Sequence, residues 1–107
     1  MGGYDVVFRA EARDEALNAA SYIAEHYDLE AALLWYDGHE RSLKTLTEMP
    51  ARCPLAPESH AFSPIEVRHL LYKRHRILFT IRETTVHVLH VRHMSQQALS
   101  CDDLEES

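Results

Sequence analysis

The sequence predicts an α+β fold: an N-terminal strand, an antiparallel helical hairpin, then a three-stranded antiparallel meander, with the helices on one face of the sheet. Apolar and small residues recur at three- and four-residue spacing from Glu11 to Met49, and the period drops to two between Glu66 and Arg92. Strands grouped after helices, rather than alternating with them, argue for helices set to one side of an antiparallel sheet. The polar break Arg82-Glu83-Thr84-Thr85 separates two strand-like runs and marks a hairpin.

In chain order, Tyr4-Asp5-Val6-Val7-Phe8 is a short apolar strand. From Glu11 to Tyr27, Ala12, Ala16, Ala20, Ile23, Ala24 and Tyr27 form one helical stripe, and its alanines permit close approach of whatever packs there. Asp28 is placed to cap a second helix, with Glu30 in its first turn, where the helix dipole favours an acid. That helix carries the stripe Ala32, Trp35, Tyr36, His39, Leu43 and Leu46 and stops at Met49-Pro50. A connection of about two residues makes the helices antiparallel neighbours, with Trp35 and Tyr36 filling the space above the alanines. Residues 50–65 hold all four prolines and no periodicity, so a long, partner-facing surface loop is expected.

Three strands follow, Glu66–Tyr72, Arg74–Arg82 and Thr85–Arg92. Pairing the last two across the polar break sets Ile81 opposite Val86, Phe79 opposite Val88 and Ile77 opposite His90, as a core face. The other face collects Arg76, Leu78, Thr80, His87, Leu89, Val91 and His93, a mixture of cations and leucines suited to binding. After Ser95 the pattern fades, giving one domain over residues 1–95 and a short turn with an acidic tail over 96–107.

The net charge of −6 is unevenly spread. Residues 1–67 hold twelve acids and five bases, residues 68–93 six bases and one acid, and residues 94–107 four acids. An anionic partner is therefore confined to the sheet, and about six cations are too few for a large nucleic-acid interface. No sequence-specific nucleic-acid contact is expected. Cys53 and Cys101 lie in neither a redox nor a zinc spacing, which favours a reduced, cytoplasmic setting. No leader pattern and no membrane-spanning apolar run is present. His87, His90 and His93 suggest a metal triplet, but residues three apart in a strand point to opposite faces, so neither metal nor cofactor is expected.

Four pieces of the chain, VVFRAEARDEALNAASYIAEHY, AALLWYDGHERSLKTLTEMP, EVRHLLYKRHRILFTI and VHVLHVRH, resemble the RelE/ParE family of toxins of type II toxin–antitoxin systems, across residues 4–95. The motifs R-x-R-I-L-F and V-x-V-L-x-V-R-H are the most telling, whereas Arg9-Ala10-Glu11 replaces the family's usual Ser/Thr-Pro-Glu helix opening. The resemblance implies a toxin neutralised by a cognate antitoxin that dimerises and binds its own promoter, in a heterotetramer or larger complex. It also implies one of two activities: ribosome-dependent mRNA cleavage, as in RelE, or poisoning of DNA gyrase, as in ParE.

RNA cleavage needs a base, a cation for the phosphate and an acid for the leaving oxygen. Arg76 matches the family's strand arginine, and His93, His69 or His87 would have to complete a nuclease set, with Arg76, His93 and His69 as its candidate residues. No tyrosine follows Tyr72 and no lysine precedes Lys73 on its strand. This favours the gyrase-directed branch, with plasmid stabilisation as its biological role and no catalytic residues of its own. The partner-gripping surface implied comprises Arg68, Tyr72, Arg74, Arg76, Leu78, Leu89, Arg92 and His93.

Overall fold

The computed structural model describes residues 3–95; the predicted tail and Cys101 lie outside them. Strand β1 (Asp5–Phe8) leads into helices α1 (Ala10–His26) and α2 (Leu29–Lys44), and the sheet continues with β2 (Arg68–Tyr72), β3 (His75–Arg82) and β4 (Thr85–His93). The expected element order holds. The sheet has four strands rather than three, in the order β1-β4-β3-β2, because β1 lies parallel alongside β4. The crossover through the helical hairpin makes that parallel placement possible.

Helix α1 begins at Arg9 with no side-chain cap, so its start is held by packing: Ala12 and Ala16 are buried. Helix α2 has the predicted cap, the Ala31 amide donating to Asp28 Oδ1 at 2.7 Å. The two β-hairpins turn without glycine, Lys73 and Glu83 adopting φ values of 52° and 56°. Each costs about 1 kcal/mol of backbone strain in the tight geometry that matches strand twist. The main core joins Ala12, Ala16, Leu43, Leu46 and Cys53 to Ile77, Phe79, Val86, Val88 and Val91. The small alanine side chains let α1 lie close to the sheet.

The predicted pairing holds from Ile81 opposite Val86 to Phe79 opposite Val88 and then slips. A bulge between Leu78 and Phe79 leaves Leu89 as the extra residue, pairs Leu78 with His90 and sets Ile77 opposite Val91, not His90. Val91 thereby enters the core, and His93, paired with His75, moves to the helical side of the sheet. The bulge occurs where β1 has ended and the outer edge of β4 lacks a strand. Glu15 of α1 occupies that edge, accepting from the Val91 amide at 2.9 Å and lying 3.1 Å from His90 Nδ1.

Residues 50–65 are not an open loop. They form two 3₁₀ turns, Pro50–Arg52 and Pro57–Phe62, and fold across the second face of the sheet. Ala56, Phe62 and Val67 cover Leu78 and Leu89 in a second, smaller core. Backbone bonds from Ala56 N to Val67 O (2.8 Å) and from His69 N to Pro54 O (3.2 Å) tie the segment to β2. The face expected to be a binding surface is thus largely occupied by the chain itself.

Candidate partner interface

Two of the expected partner-binding residues, Leu78 and Leu89, lie beneath this cover, so a partner reaches them only by displacing it. Arg76 is equally engaged. Its guanidinium grips Glu58 with both terminal nitrogens, at 3.0 and 2.5 Å, and the side chains retain 14% and 0% of their exposure. The charge-assisted bonds raise the arginine's pKa further. Arg68 staples the same segment, donating to Cys53 O at 2.6 Å and Ala51 O at 3.3 Å. Arg92 sits opposite Arg76 in the ladder, and Arg74 is exposed in the β2–β3 turn.

On the helical side, Tyr72 and His75 meet α2, and His93 packs against His75. Trp35 packs against Tyr72, His75 and His39 with ring centroids 5.6, 5.0 and 5.3 Å apart. This corrects the expectation that Trp35 fills the space above the alanines of α1; the aromatic end of the sheet claims it instead. The Tyr72 hydroxyl donates to the Trp35 carbonyl at 2.8 Å, which is possible because the helix presents no Cβ at Gly38. A methyl there overlaps the phenol ring and hydroxyl. Gly38→Ala is expected to lose about 1–3 kcal/mol despite the better helix propensity of alanine, as an overpacked site. Urea unfolding checks it, and a Gly38→Ala, Tyr72→Leu double variant should recover most of the loss.

The nuclease set does not assemble. Arg76 and His69 face the covered side, where the His69 pKa is lowered by burial and secondarily by Arg76. His93 lies on the opposite side, its ring 5.1 Å from His75 and its Nδ1 2.8 Å from Ser95 Oγ. The bulge, invisible in the alternation of residue types, puts it there.

What remains open is the outer face of the helical hairpin. Leu17, Ala20 and Ala24 of α1 and Leu29, Leu33 and Tyr36 of α2 line a groove of about 460 Å³. Leu17, Leu29 and Leu33 are 47%, 65% and 61% exposed. The charged residues of its lining are Asp37 and Glu40. The groove depends on Trp35 turning away toward the sheet, which leaves Ala20 and Ala24 only half-buried. Ala20, Ala24, Ala32 and Tyr36 belong to the expected helical stripes, whereas Leu17, Leu29 and Leu33 lie off them.

The family model for the ParE toxin of the type II toxin–antitoxin system parDE matches residues 6–98. The chain belongs to the ParE toxin family. Its fold is similar to a chain of the structure described as a chromosomal ParDE TA system from P. aeruginosa, with a TM-score of 0.71 at 14% identity, covering 84% of this chain and 95% of that one. No curated protein matches it. The ParE family placement makes the chain a toxin component with a cognate antitoxin as partner. No helix among the described residues is long and apolar enough to cross a membrane.

Proposed function

We propose that this ParE-family toxin acts by binding DNA gyrase and stalling it, not by cutting RNA, and that its antitoxin restrains it through the helical groove. The observation that carries the first part is the separation of His93 from Arg76 and His69, together with the prior engagement of Arg76 by Glu58. General acid–base cleavage requires donor and acceptor groups within reach of one phosphate, and this sheet holds its candidates on opposite faces. The deciding assay is supercoiling by purified gyrase. Excess toxin is expected to arrest it with accumulation of cleaved DNA, and unimpaired supercoiling alongside ribosome-dependent mRNA cuts reverses the choice.

The antitoxin reading rests on the exposed leucines. A contiguous apolar groove between two helices suits the apolar stripe of a partner helix. Glu40 in its lining favours lysine or arginine flanking that stripe, while Asp37 already pairs with Arg41 at 2.8 Å. Arg68 and Arg76 are committed within the chain, whereas Lys73 and Arg74 at the β2–β3 turn and Arg82 at the end of β3 are exposed to an acidic segment. Leu33→Asp should weaken binding of the antitoxin encoded by the adjoining reading frame by on the order of 100-fold, as loss of a central apolar contact. Because Leu33 is exposed, the melting temperature of the free toxin should stay within about a degree or two, in line with the small effects of surface substitutions.

A further inference from the structure

We propose that the outer edge of β1 pairs with the same edge of a second copy of this chain, joining two sheets through a two-fold dimer. β1 stands at one margin of the sheet, beside β4. Asp5 and Arg9 turn their amides inward, donating to Thr84 O and Val88 O at 3.0 Å each. Backbone groups point to alternate sides along a strand, so Val6 and Phe8 direct theirs outward. Among the described residues nothing bonds to them. The edge is closed at its start, where the Tyr4 amide donates to Thr47 O at 2.8 Å, and at its end, where α1 begins at Ala10. An unpaired row of donors and acceptors is a template for another strand.

The two closed ends fix the register. Centring a two-fold axis on Val6 would need the Tyr4 amide, and centring it on Phe8 would need the helical Ala10. Centring it on Val7 uses only open groups. Val6 then lies opposite Phe8 of the copy and exchanges both hydrogen bonds with it, and the axis repeats the exchange. Val7 meets its own counterpart, and Asp5 lies across from Arg9. These three side chains share one face: Asp5 is exposed and Val7 is 43% exposed, while Val6 and Phe8 pack on the core. Charges on an edge strand ordinarily keep other strands away. Here they have opposite signs and equal spacing from Val7, so the axis sets attraction on both sides of the valine contact. Arg9 already has Glu11 at 3.6 Å, a partly exposed pair that Asp5 of the copy joins without displacing. Asp-x-Val-x-Arg is complementary to itself read backwards, which singles out a second copy as the occupant.

Equilibrium sedimentation of the full chain should show monomer and dimer in exchange, and it must extend to about 1 mM because so short an edge makes a weak, transient interface. Asp5→Arg sets two arginines against each other and should raise the dissociation constant about tenfold or more. Asp5→Arg with Arg9→Asp swaps the charges, keeps them complementary and should return the constant to within about threefold of wild type. Hydrogen exchange on wild type locates the contact even where a variant fails to fold. On concentration, exchange at the Val6 and Phe8 amides must slow, while Asp5 and Val7, already bonded to β4, stay unchanged. Monomer at every concentration, equal constants for wild type and Asp5→Arg, or protection in the helical groove in place of Val6 and Phe8 each overturns the proposal. No residue lining that groove belongs to β1, so failure here leaves the antitoxin reading untouched.

Discussion

Arg76→Met should lower the unfolding free energy by about 3–5 kcal/mol, the usual cost of stranding one member of a buried ion pair. The reason is Glu58, whose side chain has no solvent exposure and whose two oxygens both rest on the arginine. Losing the guanidinium forces the loop either to bury an anion stripped of its two-oxygen partner or to open and expose Phe62, Leu78 and Leu89. Against a typical domain stability of about 5–15 kcal/mol this is a large fraction. Replacing both charges, as Glu58→Leu with Arg76→Met, should restore most of it, because the desolvation cost leaves with the charges. Urea denaturation of the three variants measures the cycle. A loss below about 1 kcal/mol for Arg76→Met alone would mean the pair behaves as a surface salt bridge, and the closed cover would be wrong.

Stability should also fall as the pH drops below neutrality, by about 3 kcal/mol between pH 6.5 and 4 from His39 alone. Burial drives that imidazole's pKa from 6.5 down to about 4 in the folded chain. The sign follows directly. The unfolded state takes up the proton near pH 6.5 and the folded state resists it until about 4, so the stabilisation is complete above 6.5 and is lost through that window. Both ring nitrogens lack hydrogen-bond partners, and Glu40 Oε1 stands 3.7 Å from Nδ1, too far to bond. Trp35, Tyr36 and Tyr72 surround the ring with aromatic faces and edges. His75 and His69 are lowered by burial in the same sense, so they steepen the slope. His39→Leu should flatten the dependence between pH 6.5 and 5, where wild type loses about 1.4 kcal/mol per pH unit for each proton taken up. An unchanged slope in that variant would place the titrating group elsewhere.

Several features were legible because they depend on local chemistry. Asp28 announced its helix by its own capping geometry. The polar break at Arg82–Thr85 placed a hairpin that pairs Ile81 with Val86 as expected. Asp28 and Glu83 act within a few residues of where they stand, so their consequences can be read in sequence. The bulge at Leu89 could not be read, because its cause is Glu15, far away on α1, supplying an acceptor to an edge that β1 leaves bare. One inserted residue then moved Val91 and His93 across the sheet, separating His93 from Arg76 and His69. The loop was misjudged for a related reason: 3₁₀ turns with prolines carry no hydrophobic period, although they bury Ala56, Glu58 and Phe62.

By itself the sequence determined the α+β order, the capped hairpin, the core-facing residues from Phe79 to Val88 and the uneven charge, since period and local hydrogen bonding are properties of neighbours in the chain. Tertiary structure alone decided which cations are free. A guanidinium is available to a partner only if no carboxylate of its own chain reaches it first, and Glu58 reaches Arg76 across eighteen residues of sequence.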